Sequence, residues 1–361
     1  MWIEAFSGRA GNAKVEGDKD DYLAATGKHR RNGRVSSEHD MNEPAQRLGS
    51  MDALNARLEP MHLRQRLGIE SEGEAPVFGR GRTYFHPENA LSLRRLLQLA
   101  LRLSGLYRRG QRNAQDIGLV HHRLPIRNLP AALIGLRLLH ITDLHLDAHP
   151  DFPRLLAERV RALDYDVCVL TGDYRYRTCG PLEPALAGLH HLRRHLREPV
   201  YAVLGNHDSI RMVPPMEEMG IRVLLNEWGR LERGSQSLYF VGVDDPHFFR
   251  ADNLERACRG VPEQAPSILL CHSPELYRQA AHSGFDAMLC GHTHGGQIRL
   301  PGGIALLTNA DCPRNFTAGA WRYRALYGYT SVGAGSSIVG VRFNCRPEVV
   351  LHRLDRAKAD Q

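Results

Sequence analysis

Membrane-spanning segments are missing from this sequence: no run of about 18 uninterrupted apolar residues occurs. The opening residues also lack the charged-then-apolar pattern of a cleaved secretory signal. Cysteine is sparse, with seven scattered residues, no C-x-x-C and no zinc-finger spacing. So few soft ligands exclude an iron–sulfur cluster. Cys168, Cys271 and Cys290 lie inside apolar, strand-like runs and read as reduced core thiols in a reducing compartment. No internal repeat, long low-complexity segment or motif for base stacking or groove entry is present, so specific nucleic-acid readout is not expected. Acidic residues fall short of basic ones, 40 against 47, for a net charge of +7. That balance favours anionic partners such as phosphates, nucleic acid or an anionic membrane surface. The expected location is cytoplasmic, peripheral on an inner membrane.

What is present begins with enough chain for a large core: 361 residues, 42% of them hydrophobic. Residues 1–85 read as a poorly ordered tail, because Asp18-Lys19-Asp20-Asp21, Lys28-His29-Arg30-Arg31 and Glu72-Gly73-Glu74 interrupt any apolar period. Met51 and Met61 offer alternative starts within it. Residues 86–133 read as a basic amphipathic helix and a linker through Pro125 and Pro130. Leu93, Leu96, Leu97, Leu99, Leu101, Leu103 and Leu106 accompany Arg94, Arg95, Arg102, Arg108 and Arg109. Two readings stay open for that helix, packing on the domain or lying on an anionic membrane.

Residues 134–355 alternate between strand and helix patterns, with a short tail at 356–361. Strands are expected at Leu136–Thr142, Asp166–Thr171, Val200–Leu204, Arg222–Leu225, Arg230–Arg233, Leu238–Val243, Ser267–Cys271 and Phe285–Cys290. Later ones are expected at Ile304–Leu307, Tyr327–Val332 and Val349–Leu354, with helices at Pro153–Leu163 and Leu182–Leu196. Five of these strands end in hard or borderline ligands: Asp143 and His145, Asp173, Asn206 and His207, His272, and His292 and His294. A lone histidine after a strand is more often structural. Five such coincidences argue for a site in the crevice at the strands' carboxyl ends. In Asp143-x-His145 and His292-x-His294 the spacing puts both side chains on one face of extended backbone. Imidazole with carboxylate or amide oxygen suits Mn, Zn, Fe or Co. Without His207 the donors make eight contacts if one carboxylate bridges, enough for two ions and too many for one.

The ordered set Asp143-Leu144-His145, Gly172-Asp173, Gly205-Asn206-His207-Asp208, His272 and Gly291-His292-Thr293-His294 resembles the calcineurin-like metallophosphoesterases. Thr171 to Tyr174, Gly291 to Gln297 and Gly333 to Glu348 further resemble the bacterial, membrane-associated YkuE/YaeI-type subgroup. The resemblance implies an α/β fold of two packed mixed β-sheets flanked by helices, a four-layer sandwich. It implies two divalent ions, one on Asp143, His145, Asp173 and His294, the other on Asp173, Asn206, His272 and His292. It also implies hydrolysis of a phosphoester by a metal-activated hydroxide. His207 is then the general acid, and Asp208 hydrogen-bonds it, fixing its tautomer and favouring its protonated form.

Specificity is expected from apolar loops: Met212, Met216 and Met219; Pro246 to Phe249; and Asn315-Phe316, Trp321 to Arg324 and Tyr327, with Arg342 as a phosphate contact. Packing of the second sheet is the alternative for these residues. The substrate reading is a phosphorylated small molecule or lipid, in particular a lipid-linked phosphodiester or pyrophosphate such as UDP-2,3-diacylglucosamine. The alternatives are a nucleotide or nucleic-acid phosphodiesterase and a non-catalytic interaction protein.

Overall fold

The computed structural model describes residues 51–73, 91–305 and 308–357, with backbone alone at 91–95. In chain order these form α1 (51–57), α2 (Pro60–Gly73), α3 (Leu91–Leu103), α4 (Tyr107–Gln115), β1 (Gly118–Ile126) and β2 (Arg137–Ile141). Next come α5 (Phe152–Val160), β3 (Val167–Leu170), α6 (Glu183–Arg193), β4 (Val200–Ala202), α7 (Val213–Glu218) and β5 (Arg222–Val223). There follow β6 (Glu227–Arg233), β7 (Gln236–Gly242), α8 (Leu254–Ala257), β8 (Ser267–Leu270), α9 (Tyr277–His282) and β9 (Ala287–Cys290). The chain closes with β10 (Gly319–Tyr323), β11 (Leu326–Thr330) and β12 (Glu348–Arg356).

The strands make two six-stranded sheets, ordered β1-β12-β2-β3-β4-β5 and β10-β11-β9-β8-β7-β6. Each mixes parallel and antiparallel pairs. Alternation along the strands sets the layers. In β3, Val167 and Val169 pack toward the second sheet with Phe240, Ile268 and Leu289, while Cys168 and Leu170 face the helices. Both faces are buried, which is why β2, β3, β8 and β9 read as near-continuous apolar runs. Outside the second sheet, α8 and α9 cover Val241, Leu269 and Met288. The four-layer expectation is met.

Three expectations need correction. Part of the anticipated tail is folded: Leu54, Leu58 and Leu63 are buried against the first sheet's helix layer. The buried face of α2 also carries Arg66, so no apolar period announces it. The rest of that tail lies outside the described residues. The linker contains β1, paired in parallel with β12, so the sheet begins well before residue 134. His121, His122, Arg123 and Pro125 hid this strand, and only a strand with one free edge accommodates such a proline. At Ile304–Leu307 the structure has a single bridge, Arg299 to Ala305, and residues 306–307 lie outside the described residues.

Candidate metal centre

Asp143, Asp173, Asn206, His272 and His292 each follow the end of β2, β3, β4, β8 or β9 by a few residues. Three of those strands belong to one sheet and two to the other. The site therefore sits where the two sheets' strand ends meet. The backbone carrying it is not extended as expected. Asp143, His145, Asp173, His292 and His294 all have φ between 43° and 71°. Non-glycine residues there cost of order 1–3 kcal/mol each and cluster at functional sites. These kinks, rather than an i, i+2 pleat, turn both members of each D-x-H and H-x-H pair inward. A Cβ at Gly205 would overlap the Asp173 carboxylate, and one at Gly291 would overlap Asp143. Those two glycines let the loops approach the acids.

All seven expected ligands are buried and come together in overlapping groups. His145 Nε2 lies 3.1 Å from His294 Nε2, which is 3.4 Å from Asp143 Oδ1. On the other side, His272 Nε2 and His292 Nδ1 approach Asn206 Oδ1 at 3.1 and 2.9 Å. Asp173 Oδ2 stands between, 3.3 Å from His272 Nε2 and 3.9 Å from both His145 Nε2 and His207 Nε2.

Backbone carbonyls orient four of the five imidazoles. His145 Nδ1 contacts Arg175 O at 2.6 Å, His207 Nδ1 contacts Tyr176 O at 2.7 Å and His272 Nδ1 contacts Thr171 O at 2.7 Å. His292 uses Nε2 instead, 2.8 Å from Asn309 O. A carbonyl only accepts, so each of these nitrogens carries a ring proton and the other ring nitrogen faces the site. His294 differs: its Nδ1 is 3.2 Å from Arg342 Nη2.

Burial moves His145 down to about 4 and His292 and His294 well below the usual imidazole range, which keeps these rings neutral, each with one nitrogen unprotonated, at neutral pH. Burial raises Asp143 to about 6. For Asp173 burial also pushes upward, but His272, His207 and His145 hold it well below the carboxylate range. Asp173 in turn raises His272 to about 10 against the effect of burial. Imidazoles, an amide oxygen and an ionised central carboxylate fit divalent transition metals, whose binding would displace the proton that His272 holds.

Residues 136–296 match the calcineurin-like phosphoesterase family. This segment is a calcineurin-like phosphoesterase domain. The chain is 29% identical over 256 residues to the uncharacterized metallophosphoesterase YkoQ of Bacillus subtilis, covering 68% of this chain and 93% of that one. It is 28% identical over 255 residues to phosphodiesterase YaeI of Escherichia coli, covering 65% and 87%. To the uncharacterized metallophosphoesterase YkuE of Bacillus subtilis it is 24% identical over 247 residues, covering 64% and 84%. The superfamily and subgroup resemblance is borne out.

Within the phosphoesterase domain, Asp208 departs from its expected contact. Oδ1 accepts from the backbone N–H groups of Tyr174 and Arg175, and Oδ2 from those of Asp173 and Gly205. Four backbone donors fill the carboxylate, and the Tyr176 carbonyl takes over orienting His207. Arg342 also departs from its expected role as a phosphate contact and meets His294 instead. It is fully buried and donates to the carbonyls of Val332, Gly333 and Gly335.

The apolar loops turn out to be core. Met212 and Met216 are buried under the first sheet's helices, and Phe316 stacks on Trp321 with ring centroids 4.6 Å apart on the far side of the second sheet. Among the loop residues singled out, His247 meets a ligand, its ring centroid 4.1 Å from that of His292. A cleft of about 200 Å³ reaches His145, walled by Gln98, Tyr107, Gln111, Phe152, Tyr176 and Val339. Sequence reading missed it because its walls come from four separate segments with no shared motif.

Proposed function

We propose that this metal-dependent phosphoester hydrolase cleaves a phosphodiester or pyrophosphate bond in an amphipathic molecule presented at a membrane surface. The observation that carries the reaction is Asp173, ionised and faced by nitrogens from both ligand groups. Asp143, His145, Asp173 and His294 would hold one ion, and Asp173, Asn206, His272 and His292 the other. When bound, such a pair supplies Lewis acidity and a nucleophilic water at neutral pH. The chain's own part is to orient and to move protons. His207, its Nδ1 tied to Tyr176, presents Nε2 to the phosphoryl group and donates a proton to the leaving oxygen. Asp208 holds the turn that carries it.

The cleft and the helix beside it support the substrate class. Gln98 of α3 and Tyr107 and Gln111 of α4 line the cleft, while Leu96, Leu99, Leu103 and Leu106 are exposed. Leu96, Leu99 and Leu103, three and four residues apart on α3, form one apolar stripe that Leu106 follows across the turn, with Arg102, Arg108 and Arg109 also exposed. Among the described residues no helix is long and apolar enough to cross a membrane. The hairpin thus supports peripheral contact with anionic lipid at the mouth of the cleft. UDP-2,3-diacylglucosamine is one molecule of the proposed class.

The test pairs metal-reconstituted wild type with Asp173→Ala on bis(p-nitrophenyl) phosphate and UDP-2,3-diacylglucosamine, with bound metal counted. Two ions per chain, and turnover lost in the variant, support the two-ion reading. Release of UMP supports the lipid-linked substrate, whereas turnover of the generic diester alone removes that molecule. A wild type that binds no metal and cleaves neither substrate overturns the proposal.

A further inference from the structure

Helix α2 lies outside the matched residues 136–296 and docks directly behind the turn that carries His207. Arg66 Nη2 donates to the carbonyl of Asp208 at 3.0 Å. Glu70, one helical turn on, accepts from the Ser209 hydroxyl at 2.6 Å and from the Ile210 N–H at 2.7 Å. The three residues following His207 are thus each held by α2. Arg66 is fully buried, with its guanidinium carbon 3.3 Å from the Phe249 ring centroid and Nε 3.3 Å from Asp244 Oδ2. His62 Nε2 meets the same Asp244 oxygen at 2.8 Å. Asp244 begins the loop that brings His247 against His292. One helix therefore ties together the loops on two sides of the metal centre.

Packing alone does not explain a guanidinium here. A buried ion pair loses hydration that its attraction only partly repays, and apolar side chains of similar volume stabilise as well or better. Directed charges add a fixed position. We propose that Arg66 and Glu70 are positioning residues for the reaction. They clamp Asp208 to Ile210 so that the preceding imidazole keeps Nε2 directed at the leaving oxygen. The inference rests on His207 acting as general acid.

The experiment uses the full chain, Arg66→Met combined with Asp244→Asn so that no lone carboxylate stays buried. Glu70→Gln combined with Ser209→Ala carries the same test should the first variant fail to fold. Each is assayed with bis(p-nitrophenyl) phosphate, whose leaving group departs as a stable anion, and with diphenyl phosphate. The latter's phenolate, with a pKa of about 10, needs a proton. Bound metal should stay at the wild-type count. Turnover of the nitrophenyl diester should change about threefold or less, while diphenyl phosphate should lose roughly 10²-fold. Equal losses on both substrates, or none, with metal retained overturn the clamp. His207→Ala separates the two readings. Equal losses there remove the general acid and the clamp with it, whereas a selective loss there without one in the α2 variants removes the clamp alone.

Discussion

Asp173 Oδ2 and His272 Nε2 face each other at 3.3 Å across the junction of the two sheets. One follows β3 and the other β8, strands that share no hydrogen bond. Ion binding at this pair would therefore cross-link the sheets as well as build the site. Ligands that bind only the folded chain stabilise it, by about 2.7 kcal/mol per site at a free concentration one hundred times Kd. Adding Mn or Zn to chelator-treated protein should raise Tm by roughly 5–10 °C per site occupied. His272→Ala should remove about half of that gain, read by differential scanning calorimetry. A gain undiminished in His272→Ala would show that the junction holds no ion.

The catalytic turn offers a sharp contrast between adjacent residues. Asp208→Asn replaces one acceptor oxygen with an amide that faces backbone donors now satisfied by Oδ1 and Oδ2. Hydrogen bonds to a charged partner contribute about 1.5–3 kcal/mol, so at least one such loss is expected, with a Tm lower by roughly 5–10 °C. His207→Ala should lower Tm less, since its ring bonds one backbone carbonyl and packs on His145, whereas the Asp208 carboxylate receives four backbone N–H groups. Turnover should fall in both. Equal melting temperatures in the two variants would contradict the buttress role of Asp208.

How far the sequence speaks follows from what kind of signal each part carries. Val167 to Leu170 and Ala287 to Cys290 are buried on both faces, so their apolar runs announce strands without help. The ligands were legible because each closes such a run, and a buried polar group there demands a partner. Asp208 was misread because proximity in sequence suggests contact with His207, whereas its lone pairs are claimed by residues 173 to 175 on another loop. Arg66 was invisible for a related reason. Its partners Asp208 and Asp244 lie more than a hundred residues away, and a charged residue on a helix reads as solvated.

A second group of histidines, away from the ligands, sets an acid limit on stability. His140 is fully buried between the sheets, its Nε2 2.8 Å from Thr171 Oγ1, and burial lowers its pKa to about 3. Burial likewise holds His352, with ring centroid 5.6 Å away, well below the usual imidazole range. The unfolded chain takes up protons at these positions as pH falls below about 6.5, while the folded chain does not. Stability should therefore be fully present above that pH and fall by about 1.4 kcal/mol per pH unit per histidine as pH drops toward 3. In urea titrations of metal-free protein between pH 7 and 5, His140→Leu should flatten the slope by about one histidine's share. It should also cost about 1 kcal/mol at pH 7 for the lost Thr171 bond. A slope unchanged in the variant would place the acid sensitivity elsewhere.

The exposed stripe on α3 makes the membrane reading testable apart from catalysis. Leu99 and Leu103 are 53% and 79% exposed, so replacing them removes little packing from the fold. Burying such side chains in lipid is worth about 1.5–3 kcal/mol each, and the arginines add about 1 kcal/mol each near an anionic surface. Co-sedimentation with phosphatidylglycerol vesicles should exceed that with phosphatidylcholine, and should fall as salt screens the arginines. Leu99→Glu combined with Leu103→Glu should weaken the anionic-vesicle partition by at least about 10²-fold, because two insertions are lost and two repelled charges gained. Turnover of bis(p-nitrophenyl) phosphate in solution should stay within about twofold, since neither leucine lines the cleft. Equal partition of wild type and variant would leave the stripe without a lipid role, and the cleft would then need a substrate delivered from solution.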